Sequence, residues 1–132
     1  MTFENALIGF ALITMTALTI EIFYTYLAHG FGYGFSSNRP AVERTALGLR
    51  IQRAYQNQIE STAYIVPVLA AAALLNPSSE GAAIAAALIV IGRAAFVVLY
   101  YTGVPFIRII GFSCASLSTL YLAVTLLLSV TA

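Results

Sequence analysis

Four apolar stretches, each long enough to cross a bilayer, follow one another between Phe3 and Val130 with only short breaks between them. A hydrocarbon core of about 30 Å takes about 20 residues of helix, so four spans and their connections fill the 132 residues. No soluble catalytic domain fits beside them, and the length suits one domain. The expectation is an all-α integral membrane protein, a single domain over residues 1–132. It is a four-transmembrane-helix bundle, with helices at about 3–28, 40–75, 80–102 and 106–130. Composition agrees: 61% of residues are hydrophobic and 8% charged, where a soluble domain carries about 25% charged residues. A formal charge of +1 leaves no basic face for phosphates, so no nucleic acid is expected as a partner. The single Cys114 excludes an intrachain disulfide and a cysteine-based metal site, and the lone His29 has no ligating neighbours, so no metal is expected.

The breaks carry turn chemistry. Gly30, Gly32 and Gly34 interrupt helical continuity in a loop from His29 to Asn38. Pro40 suits the first turn of the second helix, where Glu43 would favour the dipole. Run to Leu75, that helix measures about 50 Å, so its first turns should project into water and leave Arg44 outside the membrane or at its edge. Asn76-Pro77-Ser78-Ser79 and Gly103-Val104-Pro105 make the other two turns. The start, MTFENALIGF, carries Glu4 and no Lys or Arg, and the apolar run continues through Leu27, so a retained helix is expected rather than a cleaved signal. Arg39, Arg44 and Arg108 lie in or beside the first and third loops. By the positive-inside rule those loops are cytoplasmic and both termini outside. A compact chain without an endomembrane retention signal points to a bacterial inner membrane.

Against this apolar background, Arg50, Arg53, Asn57, Glu60 and Tyr64 form a polar row leading into the second span. At about 100° per residue they fall within an arc of about 80°, a stripe roughly 20 Å long. Ionisable groups at membrane depth cost about 2.5 to 3.5 kcal/mol each on insertion scales, so such a stripe faces protein or ligand, opening here to the cytoplasm. The third span adds Arg93 and, two turns along the same face, Tyr100. Four helices can hardly enclose all of these, which argues for an oligomer with sites between subunits. Ala70 to Ala73 and Ala82 to Ala87 allow close helix approach, either between subunits or within one bundle. Glu21, costly alone in the first span, is expected to pair with an arginine from another helix, and Cys114 to serve packing.

Glu43-Arg44 followed by Arg53-Ala54-Tyr55-Gln56-Asn57-Gln58-Ile59-Glu60 resembles the second-helix signature of the MAPEG family, the membrane-associated proteins of eicosanoid and glutathione metabolism. Gly92-Arg93 with Tyr100, then Pro105 and Arg108, is similar to the pattern of that family's third and fourth helices. The resemblance implies a homotrimer with glutathione as cosubstrate, bound between subunits near the cytoplasmic surface. Arg53, Asn57 and Glu60 would hold the tripeptide with Arg93 and Tyr100, while Arg108 would face the thiol. Arg50 and Tyr64 belong to the same polar row. Glutathione offers two carboxylates and one ammonium group, which suit arginine forks and a carboxylate such as Glu60. Lowering a thiol pKa of about 8.5 by two units takes about 2.7 kcal/mol, which one desolvated arginine can supply.

The implied activity is that of a membrane-bound glutathione transferase or peroxidase, whose thiolate attacks hydrophobic electrophiles or lipid hydroperoxides delivered from the membrane lipids. Some glutathione-conjugating members carry a tyrosine where this chain has Ser61. The prostaglandin-forming branch has a histidine and a serine where Tyr55 and Ile109 stand, so prostaglandin synthesis is not expected. Each residue also has a structural reading. The row can be a polar network between subunits, Arg93 can pair with Glu60, Arg108 can be a snorkelling anchor, and Tyr100 can join Tyr101 in an aromatic belt. A non-enzymatic lipid-binding protein of the same fold is the alternative function; a small transporter using Glu21, Glu60 and the arginines as a charged path is a further one.

Overall fold

A computed structural model describes residues 1–131 and consists of helices α1 (Phe3–His29), α2 (Phe31–Phe35), α3 (Ala46–Leu75), α4 (Glu80–Thr102) and α5 (Ile107–Thr131). Four of them, α1, α3, α4 and α5, are long and apolar enough to cross a membrane. Hydroxyl side chains start three of these spans: Thr2 accepts from the Asn5 amide, Thr45 from Gly48 and Ser79 from Ala82. Such caps contribute about 1 kcal/mol each. Left-handed residues end two of them, Asn76 after α3 and Gly103 after α4, each N–H returning to the last turn.

Two sequence expectations need correction at the first loop. The second span starts at Ala46, not near Pro40, because Thr45 takes the capping position. The residues ahead of it are held by α1 instead: Arg44 reaches Glu21 at 3.4 Å and Thr25 at 3.3 Å, and the Tyr24 and Thr45 hydroxyls are bonded to each other. Glu43 therefore precedes the helix, whose first turn contains no acid to favour the dipole. Glu21 has its arginine, supplied by the connecting segment and not by another span. The glycine-rich stretch is also not all loop. Gly30 alone takes a positive φ, of 84°, and turns the chain; Gly32 and Gly34 continue into the short helix α2.

The four spans make a rhombus. α3 and α4 touch each other and both outer helices, whereas α1 and α5 do not meet. α4 and α5 cross where Gly92 faces Gly111: a Cβ on either glycine would fall 2.8 Å from the other's carbonyl oxygen, so the two backbones touch directly. On one side of that crossing lies the main apolar core, in which Phe3, Phe10, Ile65, Leu69, Ile89 and Leu122 interlock with Ala72, Ala82, Ala85 and Ala86. These alanines are buried within the chain's own bundle, so their small size serves close packing inside it. On the other side is a smaller cluster of Ala17, Phe96 and Val97, and there the polar side chains gather.

Candidate polar site

The polar stripe of α3 divides along its own arc. Arg50 and Asn57, at one edge, are engaged by α4: the Arg50 Nε donates to the Tyr101 carbonyl at 3.1 Å, and Asn57 Oδ1 accepts from Arg93 at 3.1 Å. Arg50 thereby supplies a cation to the carbonyl end of α4, where the helix dipole favours one. Arg53 and Glu60, at the other edge, are exposed on the outside of the bundle, and among the described residues Glu60 accepts only from its neighbour Gln56, at 3.4 Å. Tyr64, between the edges, points towards α5, its hydroxyl 3.5 Å from that of Ser116.

Arg93 is 0% exposed, an unusual state for a guanidinium. Its Nε donates to Gln58 Oε1 at 2.9 Å and its Nη2 to Asn57, while Nη1 has no partner. Gln58, also fully buried, passes its own N–H to the Thr14 hydroxyl at 2.9 Å, and Thr14 donates to the Phe10 carbonyl. One polar chain thus ties α1, α3 and α4. Glu60 is not part of it, and Arg93 is partnered by two amides instead of the carboxylate that its sequence position suggested.

From Arg93 an aromatic ladder leads to Arg108. The Arg93 guanidinium lies 4.7 Å over the Phe96 ring, Phe96 meets Tyr100 edge-on at 5.4 Å, and Arg108 sits 4.4 Å over the Tyr100 ring. Arginine over an aromatic face is an attractive arrangement worth about 0.5 to 2 kcal/mol, more where water is excluded. Arg108 is half-buried at the second position of α5, and the Tyr100 hydroxyl has no bonding partner among the described residues. Four arginines, Arg50, Arg53, Arg93 and Arg108, are thus carried by α3, α4 and α5, and Glu60 is the one acid on α3. The only ion pair among the described residues, Arg44–Glu21, is elsewhere.

Tyr64 also opens a groove between α3 and α5. With Val68, Phe112, Ser116 and Leu120 it lines a space of about 420 Å³, and Val68 and Ala123 carry this on into a second of about 340 Å³ ending near Leu75 and Val130. Apart from the Tyr64, Ser116 and Thr119 hydroxyls its walls are apolar. The groove suits an extended hydrophobic molecule with an oxygen function at the Tyr64 end.

Sequence reasoning passed over Gln58, Thr14, Phe96 and Ser116. Gln58 stood inside the quoted signature but lies about 80° away from Arg50, on the opposite flank to Arg53 and Glu60, so the stripe did not include it. Thr14 and Ser116 read as ordinary hydroxyls of apolar helices and gave no signal.

The family model described as MAPEG family matches residues 5–128. No curated protein and no solved structure gives a match.

Proposed function

The chain belongs to the MAPEG family, and from that premise we propose that it is a membrane-bound, glutathione-dependent transferase or peroxidase. What supports this reading, beside the family, is the exposed Arg53 and Glu60 on α3 and the Arg108 guanidinium stacked on Tyr100, cations and a carboxylate of the kinds that complement a tripeptide with two carboxylates and one ammonium.

Arg53 binds a glutathione carboxylate and Glu60 takes its ammonium, while Asn57 and the buried Arg93, expected from the sequence to touch the tripeptide, brace the α3–α4 contact behind them. Tyr64 lies on the path towards the groove, while Arg50 supports the site by fixing the end of α4. The sulfur lies near Arg108 and the Tyr100 hydroxyl. A guanidinium already stacked on the Tyr100 ring has lost much of its freedom, so it stabilises a thiolate with little further ordering. The thiolate then either forms a sulfur–carbon bond to an electrophilic lipid, expelling its leaving group or taking a proton, or attacks a lipid hydroperoxide. In the second case sulfur takes the terminal oxygen as a sulfenic acid while the O–O bond breaks, the lipid leaves with a proton as its alcohol, and a second glutathione thiol displaces water from the sulfenic acid to give the disulfide. The α3–α5 groove brings the hydrophobic cosubstrate straight from the bilayer to Tyr64.

The assembly we propose is a homotrimer. Counted back from Leu75, about 20 residues of hydrocarbon thickness reach Tyr55, so the exposed Glu60 stands inside the apolar layer and Arg53 at its edge. A second copy with glutathione between the two would remove both from lipid. By the positive-inside rule Arg39, Arg44 and Arg108 favour a site on the cytoplasmic side, and the membrane we propose is a bacterial inner membrane.

The non-enzymatic lipid-binding reading keeps the groove and leaves Arg108 as a stacked anchor. The two separate in an ultraviolet titration of detergent-solubilised protein with glutathione at neutral pH. We expect saturable thiolate absorbance, reduced about tenfold or more in Arg108→Ala while binding heat persists. Absence of both the absorbance and the heat in the wild type would overturn the glutathione reading.

A further inference from the structure

The chain between the first two spans folds into a compact element that the polar site does not use. Gly30 reverses the chain at the end of α1, and α2 then folds back on Tyr26, whose ring meets Phe31 at 5.6 Å and Phe35 at 5.5 Å. Gly34 is buried against the same ring, where any side chain would collide. Arg39 closes the far end by donating to the Gly34 and Ser36 carbonyls and standing 5.8 Å over the Tyr33 ring, which in turn lies 5.3 Å from His29. A five-residue helix held this firmly has a purpose for its outer surface.

That surface has two characters. Phe31 and Phe35, one turn apart and stacked at 6.3 Å, are 65% and 76% exposed, and Phe23 and Leu27 near the end of α1 are exposed as well. Tyr33 and Arg39 occupy the other side. Depth follows from length: the 27 residues of α1 measure about 40 Å, beyond a hydrocarbon core of about 30 Å, so α1 ends at headgroup level. Aromatic rings with a cation beside them are the usual residents of that layer. Arg39 is exposed and has no ion pair among the described residues; the one acid in the connecting segment, Glu43, is not bonded to it.

We propose that α2 and the residues to Arg39 are an interfacial foot. Phe31 and Phe35 enter the upper acyl region, and the Arg39 guanidinium holds the phosphate of an anionic phospholipid. The two carbonyls and the ring beneath Arg39 fix its direction without neutralising it, so its charge is presented to the headgroups. This site is independent of glutathione binding and stands whether or not the reading above does.

The chain contains no tryptophan, so Phe35→Trp places a single tryptophan reporter in the foot. The full chain is reconstituted in phosphatidylcholine vesicles containing a minor fraction of phosphatidylglycerol, with one or the other lipid brominated on its acyl chains. Leu74→Trp, at the exposed far end of α3, serves as the bilayer-facing reference. We expect blue-shifted emission from Trp at position 35 and quenching by bromines near the top of the acyl chains. Brominated phosphatidylglycerol should quench about fivefold more than its mole fraction predicts, the enrichment one arginine produces at an anionic surface. Arg39→Gln in the same background, or high salt, should bring the two lipids to parity while quenching itself persists. Emission at the position of water-exposed tryptophan, or blue-shifted emission that no brominated lipid quenches, would place the foot in solvent or against protein and overturn the proposal. Equal quenching by both lipids with Arg39 present would overturn the headgroup site.

Discussion

The two halves of this bundle, divided where Gly92 meets Gly111, are built on opposite principles. The half containing Phe10, Ile65, Leu69, Ile89 and Leu122 is apolar and interlocked, and its small residues bring helices close enough for dispersion contacts to hold them. In the other half the apolar cluster shrinks to Ala17, Phe96 and Val97, and the helices are tied by an amide chain around a buried arginine. A bilayer gives no hydrophobic drive for helix association, so packing and hydrogen bonds must do it, and here each half relies on one of them. The division of labour frees the second half to hold charged groups without carrying the stability of the whole.

Substitutions can break that comparison or sharpen it. Gly92→Leu attacks the boundary itself: it drives a side chain into the Gly111 carbonyl and should cost about 3 kcal/mol, read as a lowered unfolding midpoint in detergent. A variant as stable as the wild type would mean that the crossing is not the seam described. Gln58→Leu strips Arg93 Nε and Thr14 of their partner and should cost about 2 kcal/mol, again in thermal or denaturant unfolding. If the loss is negligible, the polar half is not held by its amide chain. Arg53→Ala, on the open edge of the stripe, should weaken glutathione binding about tenfold in calorimetry and leave the unfolding midpoint in place, because no described residue depends on it. A fall in stability without a fall in affinity would turn Arg53 into a structural residue. Leu74→Ala, facing lipid beyond the apolar core, should change stability by less than about 0.5 kcal/mol.

The four spans were legible because length and apolarity alone define them, and the stop at the second break because Asn76-Pro77 cannot continue a helix. The stripe from Arg50 to Tyr64 was legible as a face, and the order of its members around the arc anticipates which lie against α4 and which lie outside. What the residues could not reveal was which partner each would take. Arg93 and Glu60 have the right charges to pair, yet Gln58 and Asn57 lie directly opposite Arg93 across the α3–α4 contact, and proximity decided it. Pro40 misled for a related reason. Its fixed φ suits a first turn, but Glu21 draws Arg44 to α1, and Thr45 is left to begin the helix. The foot at α2 was hidden by its glycines, of which only Gly30 acts as a breaker.

The bond between Glu21 and Arg44 has a consequence for biosynthesis. The two residues are 23 positions apart, and the acid leaves the ribosome first. While α1 enters the bilayer alone, its carboxylate has no counter-charge and the span is at its most reluctant to stay. Once Arg44 follows, the pair closes and the next helix begins one residue later at its threonine cap. The first span is thus made secure by the arrival of the second, and a chain interrupted between them would leave α1 in the membrane with Glu21 unpaired.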